Sequence, residues 1–144
     1  METRMILTSN TEETELAGQD FALNLNKGDF VAMRGDLGVG KTAFIRGMAK
    51  CLAPRARVQS PTYQIVNEYR GTSFPFYHFD MYRIDDEDSL LSTGYYDYIE
   101  NGVCAVEWSE KIEEFLPEEY YRVTILKRPD NLDSREIIIE KVVK

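Results

Sequence analysis

The chain is poor in the residues that staple or ligate. Cys51 and Cys104 are too few for a disulfide framework, and both read as reduced packing residues. The single histidine, His78, has no nearby Cys or His, which argues against a zinc site; it is expected instead to orient the segment that carries Asp80. No apolar run approaches a membrane span, and the N-terminal METRMILTSN has no apolar core of signal-peptide length, so a cytoplasmic protein away from the membrane is expected. Positive charge is also scarce. With 17 Lys and Arg against 25 Asp and Glu the net charge is −8, whereas gripping a phosphate backbone takes clustered cations. No repeat, low-complexity tract or composition shift divides the 144 residues, and a single domain over 1–144 is expected.

Against this plain background one stretch stands out, FVAMRGDLGVGKTAFIRGMA from Phe30 to Ala49. Gly35-Asp36-Leu37-Gly38-Val39-Gly40-Lys41-Thr42 matches the phosphate-loop pattern G-x-x-x-x-G-K-[ST] at every fixed position. Wrapping a phosphate chain in backbone N–H groups requires residues without a Cβ, which Gly35, Gly38 and Gly40 supply. The unpaired N–H groups and dipole of the helix that follows attract the anion. Lys41 is placed for the β and γ phosphates, and the Thr42 hydroxyl can ligate Mg²⁺.

Around this centre the periodicity predicts a strand at Met5–Leu7 and a helix opened by the S-x-x-E capping form of Ser9 to Glu12. That helix runs to about Asn24, with Leu16, Phe21 and Leu23 among its apolar residues and Gly18 a weak point. The loop helix presents Phe44, Ile45, Met48 and Leu52 on one face and stops at Pro54. A hairpin follows, Tyr63–Tyr69 and Phe74–Phe79, with Pro75 marking an edge. Asp85 to Asp88 reads as a solvated helix start, and a short helix is expected around Gly94 to Ile99. Val103–Val106 is a buried strand, Ser109–Phe115 a helix closed by Pro117, and the end is a second hairpin, Tyr120–Lys127 and Arg135–Lys141, joined by a polar loop at Arg128–Ser134. The order implies an α/β sandwich with a mixed sheet and two antiparallel hairpins.

A phosphate loop needs a carboxylate at the end of a neighbouring strand to hold Mg²⁺ directly or through water. Glu107, after four apolar residues, and Asp80, at the end of the aromatic strand from Phe74, are the two candidates. Thr62 lies in a polar segment, Ser60-Pro61-Thr62-Tyr63, that is either a γ-phosphate switch or a common turn. Trp108 is either a cover over the metal site or a core aromatic.

The phosphate loop, Ser60-Pro61-Thr62-Tyr63, His78-Phe79-Asp80-Met81-Tyr82-Arg83 and Val106-Glu107-Trp108, in this order and spacing, closely resemble the TsaE family, from about Thr8 to Trp108. The resemblance implies a P-loop NTPase-like three-layer sandwich. It also implies a bacterial ATPase needed to form threonylcarbamoyladenosine beside the tRNA anticodon, using ATP/ADP and Mg²⁺. Such proteins hydrolyse ATP slowly alone and productively with TsaB and TsaD, whose transferase complex the hydrolysis is held to reset; tRNA is then met through those partners. It further implies that Asp36, Leu37, Val39 and Ala43 line the nucleotide with the loop glycines. Lys41 and Thr42 hold phosphates and metal, Glu107 ligates Mg²⁺, Thr62 belongs to a switch loop, and Asp80 positions the attacking water or relays the switch. Thr11, Trp108 and Arg135 complete the nucleotide contacts.

Two positions depart from the family, Val39 for a frequent Ala and Ala43 for a second Thr. The missing hydroxyl removes a hydrogen bond worth about 0.5–1.5 kcal/mol, so weaker nucleotide affinity is expected. Rival classes have less support. Asn26-Lys27-Gly28-Asp29 matches the guanine-reading N-K-x-D, but it precedes the phosphate-loop strand and no D-x-x-G occurs. A small-molecule kinase lacks an obvious Arg-rich lid. A regulatory module with negligible hydrolysis is the third rival.

Overall fold

The computed structural model describes residues 3–35, 40–58 and 65–144. In chain order these form β1 (Thr3–Thr8), α1 (Thr11–Ala22), β2 (Phe30–Arg34), α2 (Lys41–Leu52), β3 (Val66–Tyr69), β4 (Phe76–Asp80), α3 (Glu87–Ser92), α4 (Tyr95–Asn101), β5 (Val103–Glu107), a kinked 3-10 segment (Ser109–Phe115), β6 (Glu119–Arg128) and β7 (Asn131–Val143). The strands make one seven-stranded mixed sheet in the order β1-β7-β6-β2-β5-β4-β3. β4, β5, β2 and β6 run parallel, while β3 at one side and β7 at the other pair antiparallel. A strand covered on both faces reads as a continuous apolar run, and Phe30–Met33, Phe76–Phe79 and Val103–Val106 are buried along their whole length.

Alternation along those strands feeds two cores. Val31, Met33, Phe76, Val103 and Ala105 face α1 and α2, packing on Phe21, Phe44, Ile45 and Met48. Phe30, Ala32, Tyr77, Phe79, Cys104 and Val106 face the other layer, packing on Leu90, Tyr95 and Ile112. The result is the α/β three-layer arrangement expected.

The two helices on the first face touch through glycine. A Cβ at Gly18 would collide with the Phe44 carbonyl, and one at Gly47 with the Glu15 carbonyl. Gly18 is therefore a contact point between helices, where its sequence setting suggested only a weak point. Glu15 also pairs with Arg46, at 3.4 Å, and with Lys50 across the same seam.

Several expected boundaries move. Asn10, one residue after the expected Ser9, caps α1: its side chain accepts the Glu13 N–H at 2.8 Å, while Glu13 accepts the Ser9 N–H at 2.9 Å. That register turns Thr14, Ala17, Gly18 and Phe21 inward and leaves Leu16 57% exposed. The helix ends at Ala22, because Leu23, Asn24 and Leu25 close with three-residue turns that carry Leu25 into the core. Pro75 marks no edge: β4 lies between β5 and β3, and Pro75 precedes it, offering its carbonyl to the Val103 N–H. The loop expected at Arg128–Ser134 is mostly strand, since β7 already starts at Asn131, opposite Arg128. Only Pro129-Asp130 turns the chain, a pair well suited to a tight turn.

Candidate functional site

In parallel sheets with helical crossovers, sites gather at the carboxyl ends of the strands. β2 ends at Arg34 and releases the chain into Gly35, whose φ of 135° is the kind a glycine adopts without strain. Gly40, at φ 101°, then starts α2 with no side-chain cap. The first-turn N–H groups of Lys41, Thr42 and Ala43 are those a helix leaves without an intrahelical acceptor. Asp36, Leu37, Gly38 and Val39, the middle of the loop, lie outside the described residues, as does Thr62.

Lys41 is 6% exposed, and its ammonium has turned back across the loop entrance. Its Nζ donates to the Gly35 carbonyl at 2.9 Å and sits 5.3 Å from the centre of the Trp108 ring. Trp108 thus belongs to the site as well as touching the second core. It holds φ at 57°, the only non-glycine left-handed residue among those described, and such strain gathers at working sites. Its ring lies 5.0 Å from that of Tyr82, which is itself largely exposed.

The two candidate carboxylates are direct neighbours: Asp80 ends β4, Glu107 ends β5, and the two are register partners. Strand parity puts both on the α2 face, because Phe76 and Val103, four residues earlier in each strand, face α1 and α2. Burial raises the Asp80 carboxyl above its ordinary value, and Glu107 adds to the rise, although the Tyr82 N–H, His78 and Lys41 pull the other way. Asp80 Oδ1 accepts the Tyr82 N–H at 3.0 Å. Glu107 is 7% exposed and meets His78 Nε2 at 2.6 Å through Oε2. The expectation that His78 orients the Asp80 segment is corrected on this point: its hydrogen bond crosses to β5. Burial pushes the Cys104 thiol up to about 12 and that of Cys51 in the same direction, away from the thiolate form.

The antiparallel side also reaches the site. Arg135 pairs in register with Thr8, and its Nε is 3.8 Å from where a Cβ on Gly40 would stand. Thr14 comes as close, at 3.7 Å, and shares a 2.8 Å hydrogen bond with Thr8. Thr14 is missing from the sequence-based candidates, yet its place at i, i+3, i+4, i+7 with Ala17, Gly18 and Phe21 marks it as an inward polar residue. Thr11 opens α1 and is exposed. Ser109, buried, donates to the Met33 carbonyl at 3.2 Å and ties the Trp108 turn to β2.

The oxygen set of Thr42, Asp80 and Glu107 suits Mg²⁺, which takes one or two carboxylates plus phosphate oxygens in place of an all-protein cage. Among the described residues no group of three or more His, Cys, Asp and Glu is poised for a metal. A separate cleft of about 270 Å³, lined by Arg4, Phe21, Leu25 and Tyr121, contains none of these residues. The N-K-x-D segment is a closed turn, with the Asn26 N–H on Asp29 Oδ2 at 2.7 Å. It sits at the opposite end of β2 from Gly35, about 17 Å away for five residues, too far to read a base held with its phosphates at the loop.

The family model described as "Threonylcarbamoyl adenosine biosynthesis protein TsaE" matches residues 8–137. The chain is 41% identical over 135 residues to the tRNA threonylcarbamoyladenosine biosynthesis protein TsaE of Bacillus subtilis, covering 94% of this chain and 84% of that one. It is 42% identical over 97 residues to the protein of the same name from Haemophilus influenzae, covering 67% and 61%. Its fold is similar to the crystal structure of Bacillus subtilis YdiB, with a TM-score of 0.79 at 35% identity over 99% of this chain and 87% of that one. With a match that begins at β1 and ends inside β7, enclosing the whole phosphate-loop face, the chain belongs to the TsaE family.

Proposed function

We propose that this protein is a Mg²⁺-dependent ATPase, acting as one P-loop domain over 1–144, that is required for threonylcarbamoyladenosine formation in tRNA. The observation that carries the reading is the pairing of Asp80 and Glu107 at the ends of adjacent strands, with the Lys41 ammonium beside the ring of Trp108, the residue after Glu107. In this reading the backbone from Gly35 to Ala43, Asp36 to Val39 included, cradles the phosphates of ATP or ADP. Lys41 would exchange the Gly35 carbonyl for phosphate oxygen, and Thr42 and Glu107 would hold Mg²⁺, whose charge would offset that of the phosphates.

Asp80 orients the attacking water or passes on the state of the nucleotide. Its own N–H donates to the carbonyl of Ile65, three residues after Thr62 in sequence, at 2.8 Å. Thr11, Trp108 and Arg135 close the nucleotide site from α1, the end of β5 and β7. Turnover is slow alone and rises with the TsaB–TsaD transferase complex, which hydrolysis resets between cycles. The net charge of −8 favours meeting tRNA through those partners. The protein works in the cytoplasm, and among the described residues no helix is long and apolar enough to cross a membrane.

Steady-state hydrolysis of ATP and GTP, alone and with TsaB and TsaD, tests this. Partner-stimulated turnover of ATP over GTP is expected, and depletion of the protein should remove threonylcarbamoyladenosine from tRNA nucleosides measured by mass spectrometry. Preference for GTP, phosphate transfer to a small acceptor, or no stimulation would each overturn the reading.

A further inference from the structure

The mechanism above leaves one buried polar group without a task. His78 is completely buried in the middle of β4, yet its strand neighbours Tyr77 and Phe79 are packing residues of the opposite core. Strand parity turns His78 to the α2 face with Asp80. There Nε2 meets Glu107 Oε2 at 2.6 Å, while Nδ1 has no hydrogen-bond partner among the described residues. A carboxylate that accepts this bond takes its proton from Nε2. A polar ring has thus been taken wholly out of water for one directed contact, an arrangement that costs stability unless the contact does something.

We propose that His78 is a positioning residue for Glu107: its Nε2–H fixes one carboxylate oxygen and so presents the other to the metal of the nucleotide complex. The pairing is available only because β4 and β5 are parallel neighbours, with His78 opposite Ala105 and Asp80 opposite Glu107. Ala105 has no side chain long enough to come between them, and the imidazole reaches diagonally to the acid two residues on. A Glu has three rotatable bonds, and holding it in one arrangement before the cation arrives removes the entropy cost of ordering it then. Outer partners that aim a ligand in this way commonly account for about 10–100-fold in metal affinity.

This inference rests on Glu107 being a metal ligand, and the test separates the two. Gln carries a nitrogen at the reach of Nε2, whereas Asn carries one only at the reach of Nδ1, so His78→Gln keeps the donor and His78→Asn loses it. ATP binding is measured by calorimetry over a series of Mg²⁺ concentrations for the wild type, His78→Gln, His78→Asn and Glu107→Gln, with the melting temperature of each. The expected result is a Mg²⁺ requirement raised about tenfold or more in His78→Asn and largely restored in His78→Gln, with affinity for ATP without Mg²⁺ unchanged. If Glu107→Gln shifts the requirement and His78→Asn does not, the positioning role is overturned and the ligand reading stands. If Glu107→Gln itself leaves the requirement unmoved, the ligand reading fails and takes this role with it. Should His78→Asn not fold, ¹⁵N NMR of the wild type decides: as the chain has one histidine, its two ring nitrogens are seen alone. A proton on Nε2 that is lost or shifted in Glu107→Gln supports the pairing, and an Nε2 indifferent to that substitution contradicts it.

Discussion

The parallel and antiparallel halves of the sheet are built from the same kind of alternating strand but do different work. Around β2, β4 and β5 the strands are short, buried on both faces, and carry Arg34, Asp80 and Glu107 at their carboxyl ends, with His78 buried inside β4. On the other side β6 and β7 are long, and with β1 they are partly exposed, with ion pairs such as Arg122–Glu140. Parallel pairing aligns strand ends, so residues distant in sequence, Asp80 and Glu107, arrive together. Antiparallel pairing spreads its ends to both sides and serves as a frame, reaching the site through Arg135.

Lys41→Ala breaks the comparison most severely. Nucleotide binding and partner-stimulated ATPase should fall below detection while the melting temperature changes little, because the Lys41 ammonium gives one hydrogen bond, to the Gly35 carbonyl, and lies beside the Trp108 ring. Calorimetry with ATP and a thermal melt together check both halves of that statement. Gly47→Ala acts in the opposite sense. A Cβ there meets the Glu15 backbone, so the helix seam must open at a cost of about 1–3 kcal/mol, read as a lowered melting temperature with the site's side chains intact.

Arg135→Ala sharpens the boundary between the halves. A charged hydrogen bond to phosphate is worth about 1.5–3 kcal/mol, so ATP affinity should drop tenfold or more although the residue belongs to the frame. An unchanged affinity would confine the site to the parallel half.

The smallest effect expected is that of Asp80→Asn on the protein without nucleotide. Burial, helped by Glu107, holds the Asp80 carboxyl above its ordinary value, so the folded chain binds that proton more tightly than the unfolded one. Ionised Asp80 therefore costs stability as pH rises from the unfolded value through the raised folded one. Asp80→Asn should raise the melting temperature at neutral pH, and the gain should vanish in acid below the ordinary carboxylate value, where both states are protonated. A gain independent of pH would contradict the sign.

Much of the parallel half was legible because its residues are tied to backbone needs that few types meet. Gly35, Gly40, Lys41 and Thr42 announce a loop and a helix start, and apolar runs ending in Asp80 and Glu107 announce strand ends. The frame was harder to read. The Pro129-Asp130 turn was hidden inside a polar stretch that continued as exposed strand, so polarity was mistaken for loop. Pro75 misled because a proline just before a strand removes no ladder bond, and only the pairing partners tell an edge from an interior. The His78–Glu107 bond depends on which strands adjoin, which no single segment encodes. Strand parity did place His78, Asp80 and the α2 face together, and that signal was there to be used. Gly18 likewise needs its partner helix before its role is visible.

The central claim is that the start of α2 and the two strand-end acids enclose one magnesium nucleotide. A crystal structure with a non-hydrolysable ATP analogue and Mn²⁺ in place of Mg²⁺, with the ion located by its anomalous signal, tests it most directly. The account predicts phosphate density against the N–H groups of Lys41, Thr42 and Ala43, with the ion between Thr42 and Glu107. A nucleotide bound elsewhere, or an ion with Glu107 turned away from it, would contradict the account.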